Sequence, residues 1–467
     1  MTLTILSFFL TDKVHAEKTE SSHASLAEKM TQAFANKTFK ILLVSICSFT
    51  ISVYIFYTLL ELYEYFIYPT SIKSFIDFKW FYLASKMTRA GINPYDFDSA
   101  TYLKGFRKYF EINSNMKPVP FVYPPNIIPI VFPLSYLSSA NAARIFFIIN
   151  LVSFVLLLKG AVSLLNKKDL VWRVMCVLLC LSIFGATLNL SLGQFSSIAV
   201  CFLVWSIFYA KKGENAIAGL LLGISTIKPT LSVLFIPYFL FKKRYLLIFT
   251  SLLTSSALAV VGLWMSGNTN VLRFLRLYKD NSKVFFSHFF ESPYTSPTRI
   301  DAGVIPAGLF PGNVDLINLM SALLIAILSA SVVIFIYQNR KRGQFLLSST
   351  FSYAEIALLA CLSLVMGYAQ PQNAVILVFV VVFLINFCQS QLKAYSGFDM
   401  FCLFFIVLCL VMHSHIAYRY FWHIYTATAG VAPFVRATIG LLPNYAIVSL
   451  IFSILTLKTS TLVDATD

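Results

Sequence analysis

Lys228 is the residue whose position points most directly to chemistry. It precedes Pro229 in the middle of an apolar run at 216–241, and basic residues flank that run on both sides. A charged side chain inside a membrane is costly and usually marks a functional site with an anionic partner. The structural alternative is a lysine stem that lies along apolar surface while its ammonium group reaches the interface. We expect a broken helix or a hairpin here, with Lys228 as a candidate anion-binding group.

Asp77 is the second candidate, because it stands near the start of a segment with helical spacing. In FIDFKWFYLASKMTRAGINPYDFD this spacing brings Asp77, Phe81 and Ser85 near one another and leaves Lys79 and Lys86 on other faces. The pattern predicts an amphipathic helix at a membrane interface with a carboxylate at its start. Aspartate also caps helix N-termini, so a purely structural role is the alternative.

Three short motifs stand at the ends of apolar segments. They are Tyr123-Pro124-Pro125, Gly193-Gln194 and Pro371-Gln372-Asn373. Taken singly, each has a structural explanation: a helix stop, a tight turn and a helix cap, respectively.

The histidines and cysteines do not predict a metal site. His413 and His415 do not share one helical face, and no carboxylate accompanies them. All eight cysteines lie in apolar runs without a CxxC pair, as is typical of small core residues. We expect neither a metal ion nor a cofactor.

The composition of the chain requires a membrane. Of the 467 residues, 58% are hydrophobic and only 12% are charged, about half of the roughly 25% usual in soluble domains. The formal charge is +16, but the basic residues form short clusters between apolar runs, which does not indicate nucleic-acid binding. The charge instead indicates membrane topology and attraction to anionic membrane lipids or phosphate.

The apolar windows predict an all-α polytopic membrane protein of about 11–13 transmembrane helices. The clearest spans lie near 39–60, 142–163, 174–190, 195–210, 245–265, 315–337, 351–368, 374–389, 398–412 and 438–457. The proline-rich segment 121–140 and the segment 216–241 are each expected to be broken, which leaves the number of spans open.

The basic clusters predict which side of the membrane each loop faces. The positive-inside rule places one set of basic residues on the same side, taken as cytoplasmic. The set consists of the N-terminal lysines, Lys167/Lys168/Arg173, Lys211/Lys212, Lys242/Lys243/Arg244, Arg340/Lys341/Arg342 and Lys393. The chain then divides into a polar cytoplasmic N-terminal extension at 1–38, one transmembrane domain at 39–457 and a tail at 458–467. Its outward regions are 61–122, which contains the interfacial helices, and 266–314 and 413–437.

In this order the motifs resemble glycosyltransferase family 87, the polytopic GT-C-type transferases that include polyprenyl-phosphate-mannose-dependent enzymes. The resemblance runs from Asp77 to about Lys243, through DFKWFYLASKMTRAGINPYD, FVYPPNIIPIVFPLSYL, LSLGQFSSIAV and AIAGLLLGISTIKPTLSVLFIPYFLFKKR. Beyond about residue 245 it fades to hydropathy. Near the later proline motif, Gln370-Pro371-Gln372-Asn373 replaces the aromatic or histidine residues usual in the family.

The resemblance implies a GT-C-like bundle and a role for each candidate residue. It implies a catalytic aspartate at Asp77 and a donor sugar on a polyprenyl phosphate. Because the phosphate is already a good leaving group, one general base suffices, with cations for the phosphate. Lys79 and a cation-rich cavity are expected to lower the pKa of Asp77. The expected phosphate ligands are Lys228, Arg299 and Arg419, and the expected contacts to the rest of the substrate are Tyr95, Tyr123, Gln194 and His415.

The expected function is therefore that of an inverting, metal-independent glycosyltransferase of the inner or plasma membrane. It would move a hexose, with mannose expected, to a lipid or glycan acceptor on the exoplasmic side. Two alternatives remain open: a lipid or oligosaccharide transporter, with Lys228 at a midplane site, and a polymerase or ligase that uses a diphosphate-linked donor.

Overall fold

A computed structural model shows a chain built from helices. It describes residues 76–109, 120–166, 169–288, 299–310, 313–341, 352–366, 369–391 and 442–456, with isolated positions at 45 and between 402 and 413. The longer helices are α1 Ile76–Arg89, α2 Ala100–Tyr109, α3 Ser139–Ser163, α4 Leu170–Ser182, α5 Phe184–Leu192, α6 Ser196–Lys211, α7 Asn215–Ser225, α8 Phe235–Phe241, α9 Tyr245–Met265, α10 Val271–His288, α11 Val304–Leu309, α12 Val314–Lys341, α13 Tyr353–Met366, α14 Val378–Gln391 and α15 Leu442–Thr456. The predicted all-α fold class is confirmed.

Several of these helices identify a membrane protein. Four described segments are long and apolar enough to cross a membrane: Ser139–Ser163, Tyr245–Met265, Val314–Gln338 and Pro371–Gln389. Shorter apolar helices, such as α6 and α13, lie beside them. All but isolated positions of the predicted spans at 39–60 and 398–412, and the whole of the N-terminal extension and the tail, lie outside the described residues.

Proline interrupts the helices in two of the three broken segments. The segment 121–140 forms only short helical turns, Pro125–Ile127, Ile128–Val131 and Phe132–Tyr136, before α3 begins. The run 216–241 is broken as predicted, because Pro229 disfavours helical geometry at Lys228, which has φ −126° and ψ 80°. The prediction of one helix at 174–190 was wrong, since the extended backbone of Ile183 separates α4 from α5.

Two of the three apolar clusters among the described residues fix the arrangement around the site. The larger contains α13 and α14, whose described side chains are almost all buried. The smaller joins α1 to the proline turns, α3 and the start of α6. In it the Phe81 ring lies 4.7 Å from Phe195 and 4.5 Å from Tyr123, and these edge-to-face contacts hold α1 against the transmembrane helices.

Candidate functional site

The carboxylate of Asp77 meets a side chain from a distant part of the chain. Asp77 lies in the first turn of α1, and its Oδ2 accepts a hydrogen bond of 2.5 Å from Nε2 of Gln194. The neighbouring Phe78 packs against Phe146 with ring centroids 4.9 Å apart, which fixes this turn of the helix. The observed contact of Asp77 is therefore a tertiary hydrogen bond.

Gln194 joins the two charged candidates. Its Nε2 also lies 3.2 Å from the hydroxyl of Tyr123, and its Oε1 accepts a hydrogen bond of 3.1 Å from Nζ of Lys228. The connection between the described residues Asp77 and Lys228 thus runs through one amide group rather than through a direct ion pair.

The loop between α5 and α6 places Gln194. Gly193 ends α5 in the left-handed conformation, with φ 67°, which glycine adopts without steric cost. Buried Asn189 supports this turn: its carbonyl accepts from the backbone N–H of Gly193 and Gln194, and its side-chain amide donates to the carbonyl of Gln372 at 2.6 Å.

Lys228 is placed by the break between α7 and α8. Because Pro229 disfavours helical geometry at the residue before it, the backbone of Lys228 is not helical, and its side chain projects from this break. Its Nζ donates to Oγ of Ser196 at 2.6 Å, in addition to Gln194. Ser196 in turn donates to Oδ1 of Asn373 at 3.0 Å.

The segment Pro371–Leu377 completes the site from the opposite side. A Cβ added at Gly185 would lie 2.6 Å from the carbonyl oxygen of Pro371, so glycine is needed for α5 to approach this backbone. This contact, with the Asn189 bond to Gln372, brings Asn373 to Ser196. The motif Pro371-Gln372-Asn373 is therefore connected to Lys228 through Ser196.

Burial raises the pKa of Asp77 above its usual value, because desolvation disfavours the charged carboxylate. The hydrogen bond from Gln194 and the positive charge of Lys228 both lower the pKa, but burial is the larger effect. The expectation of a lowered pKa was therefore wrong, since the favourable contacts do not compensate for removing the carboxylate from water.

Three residues of this group are only partly buried. Asp77, Tyr123 and Lys228 keep part of their surface accessible, whereas Gln194 and Ser196 are buried behind them. Although Asp77 keeps some open surface, the surrounding protein is dense enough to desolvate its carboxyl group. The arrangement offers a proton acceptor and a cation to a molecule in front of it, with buried amide and hydroxyl groups fixing both.

Tyr95 lies next to this group but not in its accessible part. Its ring is fully buried against Phe121 and Phe274, and its hydroxyl donates to the carbonyl of Tyr123 at 3.0 Å. This corrects the expected substrate contact, because no face of the ring is open to a sugar. Tyr95 instead supports the backbone of Tyr123.

Arg299 is engaged by a carboxylate of its own chain. Its Nε and Nη2 donate to Asp301 at 2.8 and 2.7 Å, so a carboxylate already occupies the fork that was expected to bind phosphate. The described contacts do not bring it into the Asp77 network. Arg419 and His415 lie outside the described residues.

Sequence reasoning missed Asn189 and Ser196. Both lie in the stretch LNLSLGQFSS, whose repeated polar residues interrupt an otherwise apolar region, and this was the available signal. In the described part of the chain, no group of three or more His, Cys, Asp and Glu residues is arranged to hold a metal ion.

Comparison with known proteins gives one family. The model of glycosyltransferase family 87 matches residues 121–361. The match includes Tyr123, Gln194 and Lys228, begins after Asp77, and extends well beyond residue 245, where the motif resemblance had faded. No curated protein and no solved structure matches the chain. Because the family match spans more than half of this helical membrane protein, the chain belongs to glycosyltransferase family 87.

Proposed function

We propose that this membrane glycosyltransferase takes a hexose, with mannose expected, from a polyprenyl phosphate and transfers it to a lipid or glycan hydroxyl. The observation that carries the proposal is the contact of Gln194 with both Asp77 and Lys228. It holds a carboxylate and an ammonium group of two partly exposed residues close together without pairing them directly.

In the proposed reaction, Asp77 is the general base. The acceptor oxygen attacks the anomeric carbon, and its proton passes to the Asp77 carboxylate as the bond forms. No described residue donates to Oδ1 of Asp77, so this oxygen is available while Gln194 holds Oδ2. A raised pKa suits this role, because a general base works best when its pKa approaches the operating pH.

Lys228 acts on the leaving group. The bond between the anomeric carbon and the phosphate oxygen breaks, and its electron pair remains on the phosphate. A nearby ammonium group stabilises the charge that develops there. Ser196 and Gln194 hold Nζ of Lys228 through two hydrogen bonds, so little reorganisation is needed during the reaction.

Direct attack opposite the phosphate inverts the anomeric centre, so a β-linked donor gives an α-linked product. The proposed site faces the exoplasmic side of the inner or plasma membrane, with the N-terminus in the cytoplasm, because the basic clusters between the other spans favour that orientation.

The test is transfer from radiolabelled polyprenyl-phosphate sugars by isolated membranes. Asp77→Asn keeps the size of the side chain and is expected to lower turnover roughly 10²–10⁴-fold. Asp98→Asn is the matched control, since Asp98 is an exposed carboxylate after the same helix, and it should retain normal turnover. Near-normal activity in folded Asp77→Asn protein, or a product of retained configuration, would overturn the mechanism. Activity with a diphosphate-linked donor alone would assign a polymerase or ligase instead.

A further inference from the structure

Helix α10, Val271–His288, has two different faces. In VLRFLRLYKDNSKVFFSH the residues Phe274, Tyr278, Asn281 and Phe285 recur at helical spacing, and Leu272, Leu275, Arg276, Lys279 and Lys283 recur on the opposite side. The first set is buried or half-buried, and the second is exposed. The two faces therefore have different partners.

The inner face is anchored to the protein. The hydroxyl group of Tyr278 donates a hydrogen bond of 2.9 Å to the backbone carbonyl of Val122. The side-chain amide of Asn281 donates to the carbonyls of Tyr95 at 2.9 Å and Phe121 at 3.2 Å. Hydrogen bonds to three backbone carbonyls fix the rotation of α10 about its axis. The orientation of the outer face is consequently fixed as well.

The outer face combines apolar and positively charged groups. Leu272 and Leu275 are 68% and 53% exposed, and Arg276, Lys279 and Lys283 lie on the same side in the following turns. Asp280 at the edge of this face offsets part of the charge. The adjacent Arg273 differs from these cations, because Asp96 pairs with it at 3.3 Å.

The position of α10 places this face near the membrane. Helix α9, a candidate span, ends at Met265, and only a short turn separates it from α10. In that turn, Asn270 accepts a hydrogen bond from the backbone N–H of Arg273 at 3.0 Å. Trp264, at the end of α9, is 73% exposed, as expected for an aromatic residue at headgroup level. The first turn of α10 therefore lies where the apolar phase ends.

We propose that the outer face of α10 binds the headgroups of anionic phospholipids. Leu272 and Leu275 enter the boundary of the acyl chains, while Arg276, Lys279 and Lys283 bind lipid phosphates at the height of the headgroups. Amphipathic helices with cations beside leucines associate with membranes in this way, through apolar contact and attraction to negative charge. Bulk phospholipid is the partner because the cations are spread along about two turns of an open surface.

Helix α2 provides a matched control. Its exposed surface also carries three cations, Lys104, Arg107 and Lys108. The large apolar residues Tyr102 and Phe106 are buried in the contact with α1. The described part of α2 thus presents similar charge without exposed leucines. If charge alone attracted lipid, both helices would do so equally.

The experiment compares wild-type protein with two triple variants, Arg276→Gln/Lys279→Gln/Lys283→Gln and Lys104→Gln/Arg107→Gln/Lys108→Gln. Each full-length protein is reconstituted in nanodiscs of phosphatidylcholine with phosphatidylglycerol, extracted in mild detergent and weighed by native mass spectrometry to count the retained lipids. We expect wild type and the α2 variant to retain phosphatidylglycerol preferentially. The α10 variant should lose that preference, by roughly 5-fold in apparent affinity for each cation removed.

The readout needs no catalysis, so the result is independent of the proposed function. Added salt should weaken phosphatidylglycerol retention in wild type, because exposed charges are screened. Equal retention by all three proteins would overturn the proposal, as would a preference lost only in the α2 variant. Loss of retained polyprenyl phosphate without loss of phosphatidylglycerol would assign the face to the donor lipid instead and would equally overturn it.

Discussion

In the part of the chain that the structure describes, two polar sites hold a carboxylate and a lysine, and they do so differently. At one site, Lys242 pairs directly with Glu355 at 2.8 Å, and the hydroxyl of Tyr238 donates to the same carboxylate oxygen at 2.9 Å. At the other, Asp77 and Lys228 are joined only through the amide of Gln194. The first pair neutralises its own charges, whereas the second leaves each charge able to act on a third group.

The difference follows from the backbone around each pair. Glu355 lies in the first turn of α13, where the helix N-terminus also favours a carboxylate, and its side chain is only 2% exposed. Lys228 lies at a helix break, and its Nζ donates hydrogen bonds to Ser196 and Gln194, neither of which carries a negative charge. Direct pairing stabilises the fold, while separated charges with neutral supports suit catalysis.

The largest expected effect is a loss of turnover at Asp77, and the two carboxylates should respond in opposite ways when each is replaced by its amide. Asp77→Asn should abolish most turnover but leave thermal stability equal or higher. The folded-state pKa of Asp77 is raised, so its ionised form is disfavoured by folding, and this cost is present at pH values above that pKa. Glu355→Gln should retain turnover per folded molecule but lose about 1–3 kcal/mol of stability, because Lys242 loses its counter-charge.

Turnover and thermal unfolding in detergent, measured on the same preparations of both variants, check these two predictions. A large loss of turnover in folded Glu355→Gln protein would show that the direct pair also takes part in chemistry. Strong destabilisation by Asp77→Asn would instead assign Asp77 a structural role.

Replacing each of the two lysines by methionine should give the same contrast between activity and stability, with a smaller effect. Lys228→Met removes the proposed charge-assisted contact to the donor phosphate, roughly 1.5–3 kcal/mol, and should lower kcat/KM for the donor about 10–150-fold. Lys242→Met should leave kcat/KM for the donor unchanged and lower stability. Initial rates at limiting donor, divided by the amount of folded protein, distinguish the outcomes, and an unchanged kcat/KM in Lys228→Met would exclude an action of this residue on the donor phosphate.

Much of the fold was predictable because apolar length and proline act locally. The helix break at Lys228 follows from Pro229 alone, and α3 and α9 follow from continuous apolar runs. The separation of α4 from α5 was missed, because Ile183 adopts an extended conformation that its own side chain does not require. That conformation accompanies a tertiary contact, in which the N–H of Phe184 donates to the carbonyl of His413 at 2.8 Å.

The site was predictable only in part, because its geometry depends on contacts between distant residues. The motifs drew attention to Asp77, Gln194 and Lys228 separately, but nothing local shows that Gln194 touches both of the others. For Arg299, the type of residue suggested a phosphate ligand, whereas the structure shows that its partner is Asp301, two residues further along the chain. Likewise, the pKa of Asp77 depends on packing density, which the sequence does not reveal.

The pH dependence of turnover tests whether Asp77 is the group that must be ionised. Asp77 must be ionised to act as a base, so activity should fall as the pH drops through its raised pKa. Gln194→Leu removes a hydrogen bond that lowers this pKa, so the acidic limb of kcat/KM should move to higher pH. Lys228→Met should move the limb in the same direction, because the positive charge also lowers the pKa. A limb that stays in place in both variants would show that another group limits the rate.

The smallest expected effect tests whether neutral supports matter at all. Ser196 accepts a hydrogen bond from Lys228 and donates to Asn373, whereas Ser206 is equally buried and donates to the carbonyl of Ala218 at 2.7 Å. Both changes to alanine should cost about 0.5–1.5 kcal/mol for the lost hydrogen bonds. In Ser196→Ala this cost should appear as a roughly 2- to 10-fold lower kcat/KM for the donor, because Nζ of Lys228 loses one of its two supports. In Ser206→Ala it should appear only as a lower unfolding temperature. If both variants lose stability and neither changes kcat/KM for the donor, then Gln194 alone is sufficient to hold Lys228 in place.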